Sequence, residues 1–327
     1  MPDKKYKIAV IGPIPRDHIT TYKGQEVDKY GCITHPIVVL SKLFGDEADI
    51  YPVTHIRKSD LEPISKIFSD LPGVKQDYIY TKHDGGDIIN LRFIDQNERV
   101  KTMTGFMPPI TSEDIKPLLD SDLFLFLPVT DFEIPLETLK SIKQHSNGIT
   151  ILDAHGPTKT MTVLGDRLLK LWIDRDNWLP YIDVLKMNLN EAKCCWFKTD
   201  CELEELEEDE PLPLEEIPNF ARHCFKFGVK ALYITLDVRG ALVYFQDNGD
   251  LKEVLVPAVP VDIMNIVDST GCGDTFAGGL AYSLLTNGDY VEAAKYANVM
   301  GAQCLQGVSF ESFQPLTEVK KVIENTY

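Results

Sequence analysis

Two glycines beside an aspartate near the end of the chain are the residues that most directly predict chemistry. Residues 266–279 read Ile-Val-Asp-Ser-Thr-Gly-Cys-Gly-Asp-Thr-Phe-Ala-Gly-Gly. Apolar residues follow at helical spacing, so we predict that a helix begins near Gly273. The unpaired amides of a helix N-terminus bind anions. Gly271, Cys272 and Gly273 would therefore hold a phosphate, and Asp274 beside it would take a proton from an attacking hydroxyl.

An ordinary helix start, with Asp274 merely complementing the helix dipole, is the alternative for so short a motif. The longer string 268–279, however, closely resembles the C-terminal signature of the ribokinase-like sugar kinases, often called the PfkB family. In that family the last aspartate of the signature is the catalytic base and the glycine-flanked amides form the anion hole. The resemblance implies these roles for Asp274 and for the loop 271–273.

Residues that would hold the acceptor lie near the beginning of the chain. The hydrophobic strand 7–12 is followed by Asp17, and the resemblance implies that this carboxylate binds sugar hydroxyls. A loop aspartate that caps a turn is the alternative. The family's Gly-Gly element with a following Asn is matched at Gly31, but Tyr30 and His35 replace small or amide groups, so ribose or fructose is not assumed.

Other segments resemble the family's nucleotide site. An Asn-x-x-Glu element implies residues near the phosphates and a magnesium ion bound through water at Glu191, although a plain helix N-terminus is the alternative. A loop at 235–240 resembles Thr-x-Gly-x-x-Gly, with Asp237 in place of the middle glycine. Asn298, on a later helix, resembles a residue that lines the family's adenine pocket, and a solvated helix residue is the alternative. The implied nucleotide-binding residues are Asn188, Glu191, Thr235, Asp237, Gly240 and Asn298.

The cofactors implied by the resemblance are ATP as phosphoryl donor and Mg²⁺. Many relatives also bind a monovalent cation, for which Asp268 and Thr270 are the candidate ligands. The matching segment at 306–309 does not align clearly, so dependence on K⁺ stays open.

The order of elements predicts an α/β fold. Hydrophobic strand-like runs alternate with helical patterns, which is typical of a largely parallel central sheet with helices on both faces. The runs are 8–11, 123–127, 149–152, 184–187 and 232–236. The resemblance identifies a single ribokinase-like domain over residues 1–327, with a small β-sheet lid formed by about 14–31 and 78–105. Asn90 and Arg92 in the second lid segment are candidate acceptor contacts. Two lids pairing in a homodimer would cover their exposed strand edges.

Composition excludes several classes of protein. The 327 residues are 44% hydrophobic and 25% charged, which suits a large folded core, and no apolar run is long enough to span a bilayer. We expect a cytoplasmic protein with no signal peptide. The net charge of −17 disfavours nucleic acids and anionic membranes as partners. Much of it lies in the stretch 200–216, which we interpret as a solvated surface segment.

The seven cysteines form no CxxC pair, so neither a disulfide framework nor a structural zinc site is expected. Cys272 is singled out because a thiol among helix N-terminal amides is expected to have a lowered pKa and to be open to oxidation or alkylation. Its alternative role is that of a small residue replacing the family's alanine.

The sequence thus predicts an ATP-dependent kinase acting on a hydroxyl of a small polyhydroxylated acceptor, such as a sugar or polyol. A nucleoside kinase of the adenosine type, with Tyr30 stacking on the base, and an inositol-type kinase are the alternatives within enzymes. From another class, the chain could be a catalytically silent nucleotide-binding scaffold, which the replacements at Tyr30, His35 and Asp237 would favour.

Overall fold

A computed structural model describes residues 5–20, 24–94, 99–197, 211–307 and 310–327. The first eleven residues of the acidic stretch 200–216, and the last two of the segment 306–309, therefore lie outside the described residues. In the part of the chain that is described, no helix combines the length and the apolar character needed to cross a membrane.

The strands form a large mixed sheet, a small sheet and a hairpin. The large sheet has the order β15-β14-β13-β12-β9-β8-β1-β4-β5, and it is parallel from β13 to β5, as predicted. In chain order, β1 to β15 are Tyr6–Ile11, Arg16–Thr20, Glu26–Tyr30, Ala48–His55, Ile79–Tyr80, Ile88–Phe93, Arg99–Gly105, Leu123–Phe126, Ile149–Asp153, Lys159–Met161, Arg167–Leu169, Val184–Asn188, Ala231–Thr235, Ala241–Asp247 and Asp250–Val256.

Helices connect the strands and cover both faces of the large sheet. In chain order, α1 to α10 are Thr34–Phe44, Leu61–Phe68, Ser112–Ile115, Leu136–His145, Arg175–Trp178, Leu189–Cys195, Ile217–Lys226, Cys272–Thr286, Tyr290–Leu305 and Leu316–Thr326. The helix expected near Gly273 is α8, which begins at Cys272.

Alternation along the strands divides the core in two. On β1, Ile8 and Val10 pack into one apolar cluster with α1, α8 and α9, whereas Ala9 and Ile11 pack into a second cluster with α4 and α7. Because neighbouring strand residues point to opposite faces, a strand buried on both sides is apolar throughout. The continuous hydrophobic runs in the sequence therefore correspond to the centre of this sheet.

The small sheet comes from the two segments predicted to form a lid. Residues 14–31 provide β2 and β3, and residues 78–105 provide β6 and β7, in the order β3-β2-β6-β7. The start of the second segment differs from the prediction, because β5 pairs with β4 at the edge of the large sheet. The β10–β11 hairpin lies beside the small sheet, where the backbone amide of Met103 on β7 donates to the Gly165 carbonyl.

Candidate active site

The N-terminus of α8 forms the centre of the site. Gly271 is the N-cap residue and has φ +83°, a left-handed conformation that favours glycine. The amide of Thr275 donates to the Gly271 carbonyl at 2.8 Å, and the amide of Cys272 donates to the Ser269 carbonyl at 3.3 Å. The amides of Gly273 and Asp274 follow in the first turn, where helix geometry supplies no intrahelical acceptor. This end of α8 thus retains donors for an anion.

His35 packs directly against this turn. A Cβ atom on Gly271 would overlap the imidazole ring, so the loop and the ring are in van der Waals contact. Nδ1 of His35 donates to the Cys32 carbonyl at 3.3 Å. Burial lowers the pKa of His35, although the charge of Asp274 opposes this. His35 therefore supports the turn from α1, and its predicted contact with the acceptor stays a prediction.

Asp17 on β2 and Gly31 directly after β3 lie together. A Cβ atom on Gly31 would lie 3.1 Å from Oδ2 of Asp17, so the glycine leaves room beside the carboxylate. Burial raises the pKa of Asp17 to about 6, the charge of Lys101 lowers it, and the charge of Asp274 raises it further. The charge of Asp274 thus reaches Asp17, so the two carboxylates lie within electrostatic reach of each other.

Strand register decides which residues of the second lid segment share the face of Asp17. Asp17 pairs with Ile89, so Ile89 and Leu91 share its face of the small sheet, and both are buried. Asn90 and Arg92 alternate with them and project from the other face, where Asn90 donates to the Thr104 hydroxyl at 2.8 Å and Arg92 is exposed. Asn90 and Arg92 thus do not share the face of Asp17, so the structure gives no support to the prediction that they contact the acceptor.

Lys101 is the side chain of the small sheet that sequence reasoning missed. It pairs with Leu91 across β6 and β7, on the same face as Asp17, and its charge lowers the pKa of Asp17. The sequence gives no reason to expect Lys101 beside Asp17, since a lysine in a strand usually faces solvent.

Tyr30 is held away from the Asp17 face. It pairs with Arg16 in the β2–β3 register, and its hydroxyl donates to Oδ1 of Asp60 at 3.2 Å. Arg16 donates to the same oxygen at 3.1 Å. The phenol therefore joins the base of the small sheet to the buried Asp60, an arrangement that does not favour stacking on an acceptor base.

A buried ion pair lies beneath the α8 loop. Lys186 on β12 is in register with Asp153 on β9, and its Nζ donates to Oδ2 at 2.6 Å. A Cβ atom on Gly273 would lie 3.0 Å from this Nζ. Burial lowers the pKa of Lys186, but the charges of Asp153 and Glu191 outweigh that effect and raise it. Lys186 was also missed, although a lysine within a buried apolar strand is itself a signal.

Asn188 and Glu191 form a capping box at the start of α6. The Glu191 amide donates to Oδ1 of Asn188 at 2.9 Å, and the Asn188 amide donates to Oε2 of Glu191 at 2.9 Å. Nδ1 of His155 donates to the other carboxylate oxygen at 2.8 Å. Burial raises the pKa of Glu191, but the hydrogen bond from His155 and the charge of Lys186 lower it to about 2.

This arrangement fits a magnesium ion that is held indirectly. Both oxygens of Glu191 are engaged by protein donors, and within the described ranges no cluster of three or more acidic, His or Cys side chains could ligate a metal. Mg²⁺ commonly keeps several waters and binds through substrate phosphates. An ionised Glu191 beneath the phosphate position suits that mode, whereas direct coordination by the protein does not fit.

Arg167 on β11 extends the network around His155. Its Nη2 lies 2.6 Å from Nε2 of His155 and donates to the Val129 carbonyl at 3.1 Å. The charges of Glu133, Asp87 and Asp17 raise the pKa of Arg167, although burial outweighs them and lowers it. Arg167 therefore lies between Asp17 and the His155–Glu191 pair. The β10–β11 hairpin holds it there.

The loop after β13 has Asp237 where the family's loop has its middle glycine, and the backbone there keeps a conformation that glycine favours. Asp237 is exposed and has φ +51°, which aspartate tolerates better than most residues. Gly240 has φ +101°, and a side chain there would overlap the Val256 carbonyl. Thr235 donates from its hydroxyl to the Met187 carbonyl at 3.4 Å. The substitution at Asp237 thus leaves the backbone turn intact.

Asn298 on α9 uses its amide nitrogen within the protein. Nδ2 donates to the carbonyls of Val256 at 3.2 Å and Pro257 at 2.9 Å, and to the Tyr327 hydroxyl at 3.3 Å. Asn298 therefore fastens the end of β15 to α9. Nδ2 of Asn298 could bind adenine directly only if it gave up one of these hydrogen bonds.

The candidate monovalent-cation residues form a turn before α8. The amide of Thr270 donates to Oδ1 of Asp268 at 2.9 Å, and Nζ of Lys29 lies 4.0 Å from Oδ2 of Asp268. A lysine at that distance already supplies a positive charge to the Asp268 carboxylate.

Comparisons with known proteins agree with this architecture. A ribokinase from Arabidopsis thaliana is 28% identical over 92 residues, covering 28% of this chain and 23% of that protein. The first curated relatives are matched over less than half of their length, between 22% and 48%.

Two solved structures share the fold over almost the whole chain. The structure of Arabidopsis thaliana ribokinase complexed with ribose and ATP has a TM-score of 0.75 at 18% identity, covering 98% of this chain and 99% of that one. A pyrophosphate-dependent kinase in the ribokinase family, complexed with a pyrophosphate analog and myo-inositol, has a TM-score of 0.70 at 17% identity, covering 96% and 99%.

Residues 149–315, just over half of the chain, match the family model described as pfkB family carbohydrate kinase. The matched range contains β9, β12 and β13, the Asn188–Glu191 capping box and the α8 loop. The chain therefore belongs to the PfkB family of carbohydrate kinases.

Proposed function

We propose that this protein is an ATP-dependent kinase that phosphorylates a hydroxyl of a small polyhydroxylated acceptor. One observation carries the proposal: the short segment 31–35 lies beside the Asp17 carboxylate at Gly31 and against the α8 turn at His35, and the charge of Asp274 in that turn reaches Asp17. A carboxylate that binds hydroxyls and a carboxylate beside an anion-binding helix end thus face a shared space. That is the arrangement that transfer of a phosphoryl group to an alcohol requires.

Asp17 would orient the acceptor. An ionised carboxylate accepts hydrogen bonds from two hydroxyls, and Gly31 lets the acceptor approach it closely. The positive charge of Lys101 favours the ionised form of Asp17 against the effect of burial. Acceptor binding would therefore depend on the charge state of Asp17.

Asp274 would take the proton from the attacking hydroxyl. The amides of the α8 turn would bind the oxygens of the transferred phosphoryl group, and Lys186 would add a positive charge next to Gly273. The anion hole proposed from the sequence at 271–273 is here centred on Gly273, because the Cys272 amide already donates to Ser269.

Magnesium would be held through the donor's phosphates and through water, with Asn188 and Glu191 beneath it. When bound, it would neutralise the charge of the phosphates during transfer. Glu191 would remain ionised throughout, since its pKa of about 2 lies far below neutral pH. Asp268 and Thr270 remain the candidate ligands for a potassium ion.

The small sheet would act as a lid. It carries Asp17 on the same face as Ile89, Leu91 and Met103, and these three apolar side chains belong to the main core cluster. Closure over the acceptor would exclude water that competes for the phosphoryl group. Pairing of two small sheets in a homodimer is part of the same proposal.

A nucleoside or inositol-type acceptor is the second candidate. The inositol option is supported by the fold shared with a kinase solved with myo-inositol. The nucleoside option loses its sequence argument, because the Tyr30 hydroxyl is bonded to Asp60. A catalytically silent scaffold is disfavoured by the intact Asp274 and α8 turn.

The test is donor consumption across a panel of sugars, cyclic polyols and nucleosides, with ATP and Mg²⁺ and, in parallel, with pyrophosphate. Asp274→Asn should lower turnover by about 10²–10⁴-fold, the usual contribution of a general base. Asp289→Asn is the matched control, since Asp289 caps α9 through Val291 and Glu292 and has no place in the site. Equal turnover in the parent and Asp274→Asn would reject the role of Asp274, and ATP binding without turnover on any acceptor would favour the silent scaffold.

A further inference from the structure

Two thiols meet at the base of the α8 loop. Cys272 is the first residue of α8 and Cys304 lies near the end of α9, and their side chains are neighbours. Each thiol also contacts the backbone of the other's segment: Sγ of Cys304 donates to the Thr270 carbonyl at 3.5 Å, and Sγ of Cys272 approaches the Gly301 carbonyl at 3.8 Å. Both are free thiols.

The pair touches the turn that carries Asp274. The Thr275 side chain lies beside Cys304, and the Thr275 hydroxyl donates to the Gly271 carbonyl at 2.7 Å. Cys272 and Thr275 therefore flank Asp274 in one helical turn, and Cys304 contacts both of them. Any covalent change at Cys304 must act on the position of this turn.

The two thiols differ in reactivity. The neighbouring Cys272 thiol lowers the pKa of the Cys304 thiol, whereas the Cys304 thiol, together with burial, raises the pKa of Cys272. The lowered pKa expected for Cys272 from its place at a helix N-terminus was therefore wrong, because a neighbouring thiol and the charges of Asp268 and Asp274 outweigh the helix end. The side chain of Cys272 is partly exposed, so a small oxidant can reach the pair.

We propose that Cys272 and Cys304 form a reversible disulfide when the protein meets a peroxide, and that this closes the anion-binding turn. The Cys304 thiol loses its proton, the thiolate attacks a peroxide oxygen, and the O–O bond breaks; the leaving hydroxide takes up that proton, so a sulfenic acid and one water form. The Cys272 sulfur then attacks the Cys304 sulfur, the S–O bond breaks, and a second water leaves. Two thiols and one peroxide thus yield one disulfide and two waters.

The consequence rests on the proposed function. A disulfide holds its sulfurs about 2.05 Å apart, much closer than two neighbouring thiols, so the first turn of α8 is pulled towards α9. The amides of Gly273 and Asp274 then no longer face the transferred phosphoryl group in their original geometry. We expect turnover to fall by about 10²-fold, the loss seen when one oxyanion donor is removed.

The experiment treats the full chain with hydrogen peroxide, blocks the remaining thiols and maps peptides by mass without reduction. The parent should yield one linked peptide pair joining Cys272 and Cys304, and dithiothreitol should restore its turnover. Cys304→Ser, or Cys304→Ala if that variant fails to fold, should keep its turnover in peroxide. Cys224→Ser, which alters a buried cysteine of the second core cluster, is the control and should respond as the parent does.

Two outcomes would overturn the proposal. One is a parent that shows no linked pair under peroxide, and the other is a Cys304→Ser variant inactivated as fast as the parent. If no acceptor supports turnover, the proposed function fails, but the linked peptides still decide whether the disulfide forms.

Discussion

Replacement of Gly271 by alanine isolates the contact that supports the α8 turn. At φ +83° an L-residue costs about 1–2 kcal/mol relative to glycine. The new Cβ atom would also overlap the His35 ring, and forcing a packed side chain aside costs about 1–3 kcal/mol more. We therefore expect Gly271→Ala to lower the free energy of unfolding by about 2–5 kcal/mol.

A matched variant separates the two contributions. Gly288 has φ +69°, and a Cβ atom there would meet nothing within 4 Å, so Gly288→Ala should show the backbone cost alone, about 1–2 kcal/mol. In a His35→Ala background the overlap disappears, and Gly271→Ala should cost no more than Gly288→Ala. The coupling between the two sites should then be about 1–3 kcal/mol.

Urea unfolding of the parent, the single variants and the double variant at one pH measures these free energies. If Gly271→Ala costs the same with and without the His35 ring, the ring does not support the turn and the reasoning is refuted.

Three further results follow from the site. The KM for the acceptor should rise as pH falls through about 6, because Asp17 becomes protonated, and Asp17→Asn should remove this dependence; a parent KM that is constant between about pH 8 and 5 would contradict it. Lys186→Met should lower the free energy of unfolding by about 3–5 kcal/mol in urea, since Asp153 is left buried without its partner, and adding Asp153→Asn should recover part of that loss. Arg92→Ala should leave the KM for the acceptor unchanged in steady-state assays, and a raised KM would contradict the assignment of Arg92 to the outer face of the small sheet.

The elements of this fold are readable from the sequence because their signals are local. Continuous apolar runs predicted β1, β8, β9, β12 and β13, and glycines followed by apolar residues at helical spacing predicted α8 to within one residue. The membership in the PfkB family was equally predictable, because the string 268–279 is contiguous. The alternation of polar and apolar residues predicted the strand β6. Its register against β2 decides which residues share the face of Asp17. That register could not be predicted, because it depends on a strand distant in the chain.

The sequence by itself therefore determined the fold class, the family and the α8 turn, since each depends on residues close together in the chain. Only the tertiary structure brought Lys186 beneath Gly273, Arg167 beside His155, and Cys304 against Cys272. These pairs come from separate strands and helices, and nothing in their local spacing predicts that they meet. Packing of the whole chain decides such contacts, because the energy that fixes them is the burial of surfaces far apart in the sequence.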